Sequence, residues 1–239
     1  FNCSIRRFKL AHNWLNMGQI KNSYDPYRRP TTPSALDDEF DDGALNAKWT
    51  LFNPASISLT TTEANHVLEL QAATDAGDNI TGYFQTLPSG DFTIVTRMGL
   101  VGRNINYCTG GLAFFQNATS APTTSDIFTF QLTQKVTNDG TLDVVRWNDY
   151  QTFSSGPKTL NSECPTGGWL RVRRSGTTLF YEYSYDGIGF MSLYSEVQWF
   201  APVEVGVYIN NVNSGITFSI FFDYFRYKAS NDVGLIGSW

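Results

Sequence analysis

The stretch GWLRVRRSGTTLFYEYSYDG, residues 168–187, decides the fold. In its first half Leu170 and Val172 alternate with Arg171 and Arg173. In its second half Tyr181, Tyr183 and Tyr185 alternate with Phe180, Glu182 and Ser184. A period of two sends successive side chains to opposite faces, the mark of a strand with one face in a core. Ser175-Gly176 separates the halves and Asp186-Gly187 closes the second. Both are turn-forming pairs, because Gly accepts a positive φ and Asp bonds its own downstream backbone.

The same period recurs on either side. In VEVGVYIN, Val203, Val205, Val207 and Ile209 alternate with Glu204, Gly206, Tyr208 and Asn210, and in DFTIVTRM Phe92, Ile94 and Met98 share a face with Thr96. Further strands are expected at 57–62, 66–72, 80–86, 110–116, 127–136, 142–147 and 216–227. Ser89-Gly90, Asn138-Asp139-Gly140 and Thr166-Gly167-Gly168 supply turns between them. About a dozen strands with no helix between them predict an all-β, antiparallel sandwich rather than a βαβ sheet. No 20–50-residue repeat points to a propeller or solenoid.

The chain has 239 residues, of which 16% are charged and 15% aromatic, and its mean hydropathy is −0.24. No apolar run approaches the ~18 residues a membrane-spanning helix needs. These figures exclude a coiled coil, a disordered chain and a histone-like basic binder, and no membrane span is expected. Net charge is −5 but uneven. Residues 1–36 hold six basic side chains (Arg6, Arg7, Lys9, Lys21, Arg28, Arg29) against Asp25 alone, while the remainder holds 11 basic and 21 acidic residues. An acidic body is unsuited to phosphate contacts, so no nucleic-acid partner is expected.

The segment NSYDPYRRPTTPSA (22–35) has three prolines and no hydrophobic period, and reads as a linker. The expected organisation is therefore a basic extended N-terminal arm and linker over 1–36, one β-sandwich over 37–228 and a tail over 229–239. Phe8, Leu10 and Trp14 of the arm could not be covered by so short a segment. They are expected to pack on a partner, with Arg6, Arg7, Arg28 and Arg29 pairing with its acids. The first residue is Phe rather than Met, which suggests a longer or processed product. Cys3, Cys108 and Cys164 match no disulfide framework and no metal spacing. Inert thiols are the first expectation and a Cys108–Cys164 bridge the second. Asn2, Asn79 and Asn117 each begin an Asn-x-Ser/Thr sequon.

Catalytic constellations are sparse. His12 lies in the arm and His66 at a strand start, and there is no Gly-x-Ser-x-Gly elbow, no phosphate-binding loop and no dinucleotide fingerprint. The acidic run Asp37, Asp38, Glu39, Asp41, Asp42 allows three readings, which are solvated charges, a calcium site or glycosidic carboxylates.

The segment Leu36-Asp37-Asp38-Glu39-Phe40-Asp41-Asp42-Gly43, followed by Leu45 and Lys48-Trp49, resembles the opening of concanavalin A-like lectin/glucanase (laminin-G-like jelly-roll) domains. Pro88-Ser89-Gly90-Asp91-Phe92-Thr93, the Gly168–Gly187 pair with its Tyr-Ser-x-Asp-Gly turn, and Phe222-Asp223-Tyr224-Phe225-Arg226 are similar to later segments of that family, in the same order. The resemblance implies a jelly-roll of two curved antiparallel sheets, with a concave face often used for glycans. It also implies a calcium in many members, whose matching positions here are Glu39 (or Asp38) and Asp223. The alternative is that Asp223 bonds backbone amides. No cofactor is expected beyond that candidate calcium. The family's hydrolytic Glu-x-Asp-x-x-Glu run is absent, because positions 71, 184 and 206 after Glu69, Glu182 and Glu204 are Gln, Ser and Gly. On that ground the chain is expected not to be an enzyme.

Domains of this type preceded by an arm also occur in bacteriophage structural proteins. The expected function is thus a non-catalytic virion-type display protein with a lectin-like sandwich, virion-borne or extracellular. It would belong to an oligomeric assembly, with other structural subunits and cell-surface polysaccharide as partners. The alternatives are a purely structural decoration subunit, or a glycoside hydrolase or lyase lacking the usual motif. Aromatic rings beside amides and acids suit sugars, because rings stack on apolar sugar faces and polar groups meet hydroxyls. The candidates are Trp147, Asp149 and Tyr150, then Tyr208 and Asn210, then Asn106 and Tyr107. Trp49, Trp169 and Trp199 are assigned to packing.

Overall fold

Alternating apolar and short polar residues can hide the apolar half only as strands whose inward faces meet. The computed structural model describes residues 33–73, 77–101, 107–134, 140–161, 167–212 and 217–229. Among the described residues there is no helix and there are fourteen strands: β1 (Thr50–Phe52), β2 (Leu59–Ala64), β3 (Val67–Ala72), β4 (Thr81–Thr86), β5 (Phe92–Val101), β6 (Cys108–Phe115), β7 (Ile127–Gln134), β8 (Gly140–Trp147), β9 (Phe153–Asn161), β10 (Gly167–Ser175), β11 (Thr178–Ser184), β12 (Met191–Val197), β13 (Glu204–Asn211) and β14 (Phe218–Ala229). They form two seven-stranded antiparallel sheets. The front sheet runs β1-β4-β13-β6-β7-β8-β9 and the back sheet β12-β11-β10-β5-β14-β3-β2. The fold is an all-β jelly-roll sandwich.

The core lies between the sheets. Leu112, Phe114, Phe128, Phe130, Val205 and Val207 of the front sheet meet Ile94, Leu170, Val172, Tyr181, Ile220 and Phe222 of the back sheet. Phe92, Phe114 and Phe128 stack in file at 5.8 and 4.6 Å, and Tyr181 stands edge-on to Phe130 at 5.7 Å. Offset and edge arrangements of this kind suit the ring quadrupole and add to area burial. The β10–β11 register, Leu170 opposite Tyr183 and Val172 opposite Tyr181, is the one the 168–187 alternation demands.

The Asp186-Gly187 turn is held by its own side chains. Asp186 Oδ1 accepts from the Ile188 and Gly189 amides at 2.8 and 3.0 Å, and those bonds hold its carboxyl below the usual carboxylate range. Gly187 has φ +76°, and a β-carbon there would sit 2.8 Å from Trp169. Only Gly fits that close approach.

The leading segment is stitched to the last strand. Asp38 and Phe225 exchange both backbone hydrogen bonds, at 2.9 and 2.8 Å, and Asp37 Oδ1 accepts from the Tyr227 amide at 2.7 Å. Strands β1, β9 and β12 carry no alternation signal in the sequence. All three are sheet edges, and β9 contains Gly156-Pro157. The arm residues Arg6, Arg7, Phe8, Leu10, Trp14, Arg28 and Arg29, together with Asn106, Cys3, Cys164 and the tail from 230, lie outside the described residues. Cys108 is buried, and its thiol donates to Asn211 Oδ1 at 3.0 Å.

Candidate functional site

Strands β6, β7, β8 and β13 are buried on both faces, whereas a sandwich strand ordinarily turns one face to water. Strand register sorts the outer face of the front sheet into rows. Trp147, Ile127, Phe115 and Glu204 lie side by side, and next come Val145, Thr129, Ala113, Gly206 and Phe84. The third row is Asp143, Gln131, Gly111, Tyr208 and Gly82, and the fourth Thr141, Thr133, Thr109 and Asn210. The face thus grades from rings to hydroxyls and amides.

A directed chain of hydrogen bonds crosses these rows. Trp147 Nε1 donates to Thr129 Oγ1 at 3.4 Å, and Thr129 donates to Gln131 Oε1 at 2.6 Å. Gln131 Nε2 donates to Thr133 Oγ1 at 3.0 Å, while Thr133 and Thr141 donate to Asp143 Oδ2 at 2.5 and 2.8 Å. The Tyr208 hydroxyl also donates to Gln131 Oε1. Because Gly111 lies between Tyr208 and Gln131 in register, the ring crosses bare backbone there. Burial pushes the Tyr208 hydroxyl far above its ordinary value, so it stays a donor. A polarised chain that ends on a carboxylate is stronger and stiffer than its separate bonds.

One end of the face is closed by the 148–152 turn. Asp149 Oδ1 accepts from the Gln151 and Thr152 amides, both at 2.7 Å. Gln151 Nε2 donates to Asn79 Oδ1 at 2.8 Å, the Asn79 amide donates to Asn210 Oδ1 at 3.0 Å, and Asn210 Nδ2 reaches Asp78 at 2.8 Å. Burial raises the Asp78 carboxyl above its usual range, against the pull of that Asn210 bond.

The expected sugar-contacting residues are therefore partly regrouped. Trp147, Tyr208 and Asn210 do share one face, with Tyr150 packed against its ring cluster. The expectation that their rings lie open for stacking is corrected, since Trp147 is 4% exposed and Tyr208 fully buried. Their polar atoms instead brace the hydrogen-bonded rows. Asp149 folds its own turn, and Tyr107 is exposed at the start of β6. Thr129, Gln131, Thr133, Thr141 and Asp143 escaped the sequence reading, though Thr-x-Gln-x-Thr at 129–133 followed by Thr-x-Asp at 141–143 was the available signal. Phe153, more than half exposed and edge-on to Trp147 at 5.8 Å, was also missed.

Within the acidic run Asp41 and Asp42 are exposed, while Asp37, Asp38 and Glu39 are half-buried. Asp38 accepts from Trp49 Nε1 at 2.8 Å and pairs with Lys48 at 3.4 Å. Glu39 pairs with Arg226, and Asp223, at the bulge in β14, with Arg97 at 3.2 Å. The two candidate calcium positions, Glu39 and Asp223, thus each face a guanidinium of their own. Among the described residues no group of three or more His, Cys, Asp or Glu is arranged to hold a metal ion.

On the outer face of the back sheet, Arg97 lies over Trp169, Arg171 over Phe190, Arg173 over Phe180 and Arg226 over Tyr224, at 3.9–4.9 Å from the ring centroids. Burial pushes the Glu182 carboxyl up, but Arg173 and Arg171 together outweigh it and hold it below the usual range.

Comparison with known proteins places this architecture. The family described as beta xylosidase C-terminal concanavalin A-like domain matches residues 37–228. Among solved structures, the GH43 protein BlXynB of Bacillus licheniformis is 17% identical with a TM-score of 0.62, covering 84% of this chain and 40% of its own. The CBM2 module of the evolved Dit of Lactobacillus casei BL23 phage J-1 is 9% identical with a TM-score of 0.54, covering 80% of this chain and 93% of its own. A beta-1,3-glucanase of Mycobacterium marinum is 12% identical with a TM-score of 0.55, covering 83% of this chain and 100% of its own. No curated protein matches the chain. Identities this low carry the fold alone, and the chain spans about 40% of the xylosidase structure.

These findings correct the expectation that the chain is not an enzyme, since the matched family is a domain of beta xylosidases and glycoside hydrolases share the fold. The missing Glu-x-Asp-x-x-Glu run excludes one placement of carboxylates on a strand and nothing broader.

Proposed function

The chain belongs to the family of beta xylosidase C-terminal concanavalin A-like domains, and from that premise we propose that it serves glycoside hydrolysis by holding a polysaccharide chain on the outer face of its front sheet. The observation that carries this reading is the braced row Thr129–Gln131–Thr133–Asp143 with Tyr208. These buried, neutral donors and acceptors hold one another in fixed orientation around one carboxylate, and so stiffen a face that no third sheet covers among the described residues. Short hydroxyl and amide side chains lose little entropy when a ligand arrives, so such a face is preorganised. Exposed Phe153, Asn148 and Gln151 at its margin offer first contact. The xylosidase and glucanase likenesses favour β-linked polysaccharides such as xylan.

Affinity electrophoresis through xylan, mixed-linkage glucan and dextran tests this. Retardation by a β-linked polymer, lost in folded Gln131→Ala, supports it, and equal mobility in all gels overturns it. Release of reducing ends from the retarding polymer, measured on the same protein, tells whether holding and cleavage reside in one chain.

A second reading has its own observation. The likeness spans 93% of the CBM2 module of the phage Dit, so this fold also serves as a module of a phage protein. On that reading the protein is virion-borne or extracellular. The arm residues Phe8, Leu10 and Trp14 seat it on other structural subunits, and the same face holds cell-surface polysaccharide. Deleting residues 1–36 then abolishes assembly while leaving retardation in the gels intact.

A further inference from the structure

Beyond the polysaccharide face, and independent of it, we propose that Glu63 and Asp42 form a proton-operated latch that fastens the acidic turn 38–43 to the edge of the back sheet. Glu63 sits on β2, the last strand of that sheet, and is 8% exposed. Its Oε1 accepts from the Asp42 and Gly43 amides, both at 3.1 Å, some twenty residues earlier in the chain. Its Oε2 is buried without a hydrogen-bond partner, and the Asp42 carboxyl is its neighbour. Two carboxylates cannot bond each other, because both only accept. A proton on Glu63 supplies the missing donor and leaves Oε1 free to hold the two amides.

Nearby basic side chains lie against other acids. His66 Nδ1 is 3.8 Å from Asp41 Oδ2, Lys48 pairs with Asp38 while drawing on Asp42 from a distance, and Arg226 pairs with Glu39. Both sides of the latch are conformationally fixed. Phe40 and Gly43 hold φ of +49° and +85°, while Asn65 and His66 in the facing hairpin turn hold +54° and +65°. Burial first, and the Asp42 contact second, push the Glu63 carboxyl up to about 7, while the bond to Glu63 holds Asp42 below its ordinary value. A carboxyl raised on folding stabilises the protein fully below its unfolded pKa, near 4.5, and that stabilisation is lost as pH rises through about 7. Above that point a nearly buried charge faces a second one, and the turn that carries the Asp38–Phe225 bridge is released.

The test uses the full chain. The Glu63 carboxyl carbon, followed by NMR, is expected to titrate near pH 7. Amide protection at Asp42 and Gly43, corrected for intrinsic exchange, is expected to fall toward tenfold per pH unit above that midpoint. Glu63→Gln keeps an acceptor for the amides and a permanent donor for Asp42, so its melting temperature should overtake that of the wild type between pH 6 and 8. A midpoint near 4.5, or parallel melting profiles for the two proteins, overturns the latch. A rise in wild-type melting temperature at pH 8 on adding calcium, absent in Glu63→Gln, also overturns it, because the pair would then hold a cation. If the variant does not fold, the wild-type titration decides alone.

Discussion

The two outer faces of the sandwich solve the same problem in opposite ways. Each must place polar side chains on the side of a sheet that does not enter the core. The front sheet uses Thr, Gln and one Asp in a short relay, buried and directional. The back sheet uses long guanidinium groups laid over rings and pinned by Glu182, Asp223 and Glu39. The first has few rotamers and a fixed pattern of donors, which suits selective recognition. The second screens apolar rings with side chains that keep their heads near water, which suits a supporting wall. The difference teaches that two equally polar faces can differ in torsional freedom, and the stiffer one is the better candidate for recognition.

Four measurements can break or sharpen this contrast. The largest effect is expected on the back face at Arg226, which is 1% exposed. Arg226→Leu removes the ion pair to Glu39, one of the two donors to the Asp38 carbonyl and the stack on Tyr224, and should cost about 3 kcal/mol in denaturant unfolding. A loss near zero would show that the wall is decorative. On the front face Gln131→Leu leaves the Tyr208 and Thr129 hydroxyls without their acceptor and takes one donor from Thr133, and should cost about 2 kcal/mol. If stability falls but polysaccharide retardation does not, the relay is only structural.

The third measurement concerns acid. Glu182, held low by its two arginines, contributes stability above its unfolded pKa, and loses it as pH falls through the lower folded value. Glu182→Gln should therefore cost about 1 kcal/mol at pH 7. The melting difference from wild type should close below about pH 4. A gap that persists at pH 3 would mean that packing, and not charge, is what Glu182 supplies. The smallest effect is expected from Arg173→Ala. That side chain is 38% exposed, and its loss should cost under about 1 kcal/mol and shrink further in 1 M salt.

Most of the fold was legible because burial on one side writes a period of two into the sequence, as at 168–187 and 203–210. The strands that were missed obey other rules. In β9 half of the described residues are exposed and in β12 more than half are, so pairing with β8 and β11 places them and no hydrophobic pattern announces them. The site was half legible. Trp147, Tyr208 and Asn210 stood out by type, whereas Thr129, Gln131, Thr133 and Asp143 looked like the solvent half of ordinary strands. Alternation reports that two faces differ and cannot tell which polar face is recessed. The pairing of the acidic run was illegible for a related reason. Asp38 and Glu39 meet Lys48 and Arg226, which lie ten and 187 residues further along the chain.

The double hydrogen bond between Asp38 and Phe225 has a mechanical consequence. Because the pair is antiparallel, the backbone before Asp38 runs alongside the end of β14, whose residues Arg226–Ala229 stay paired with Val95–Phe92 of β5. Tension on the N-terminal side would peel the Asp38 contact open one bond at a time, as a zipper yields, whereas tension on the C-terminal side would load the β14–β5 ladder inside the back sheet. The two leads are thus fastened unequally, and a pull on both would be felt first as a swivel at Asp38 and only later as unfolding.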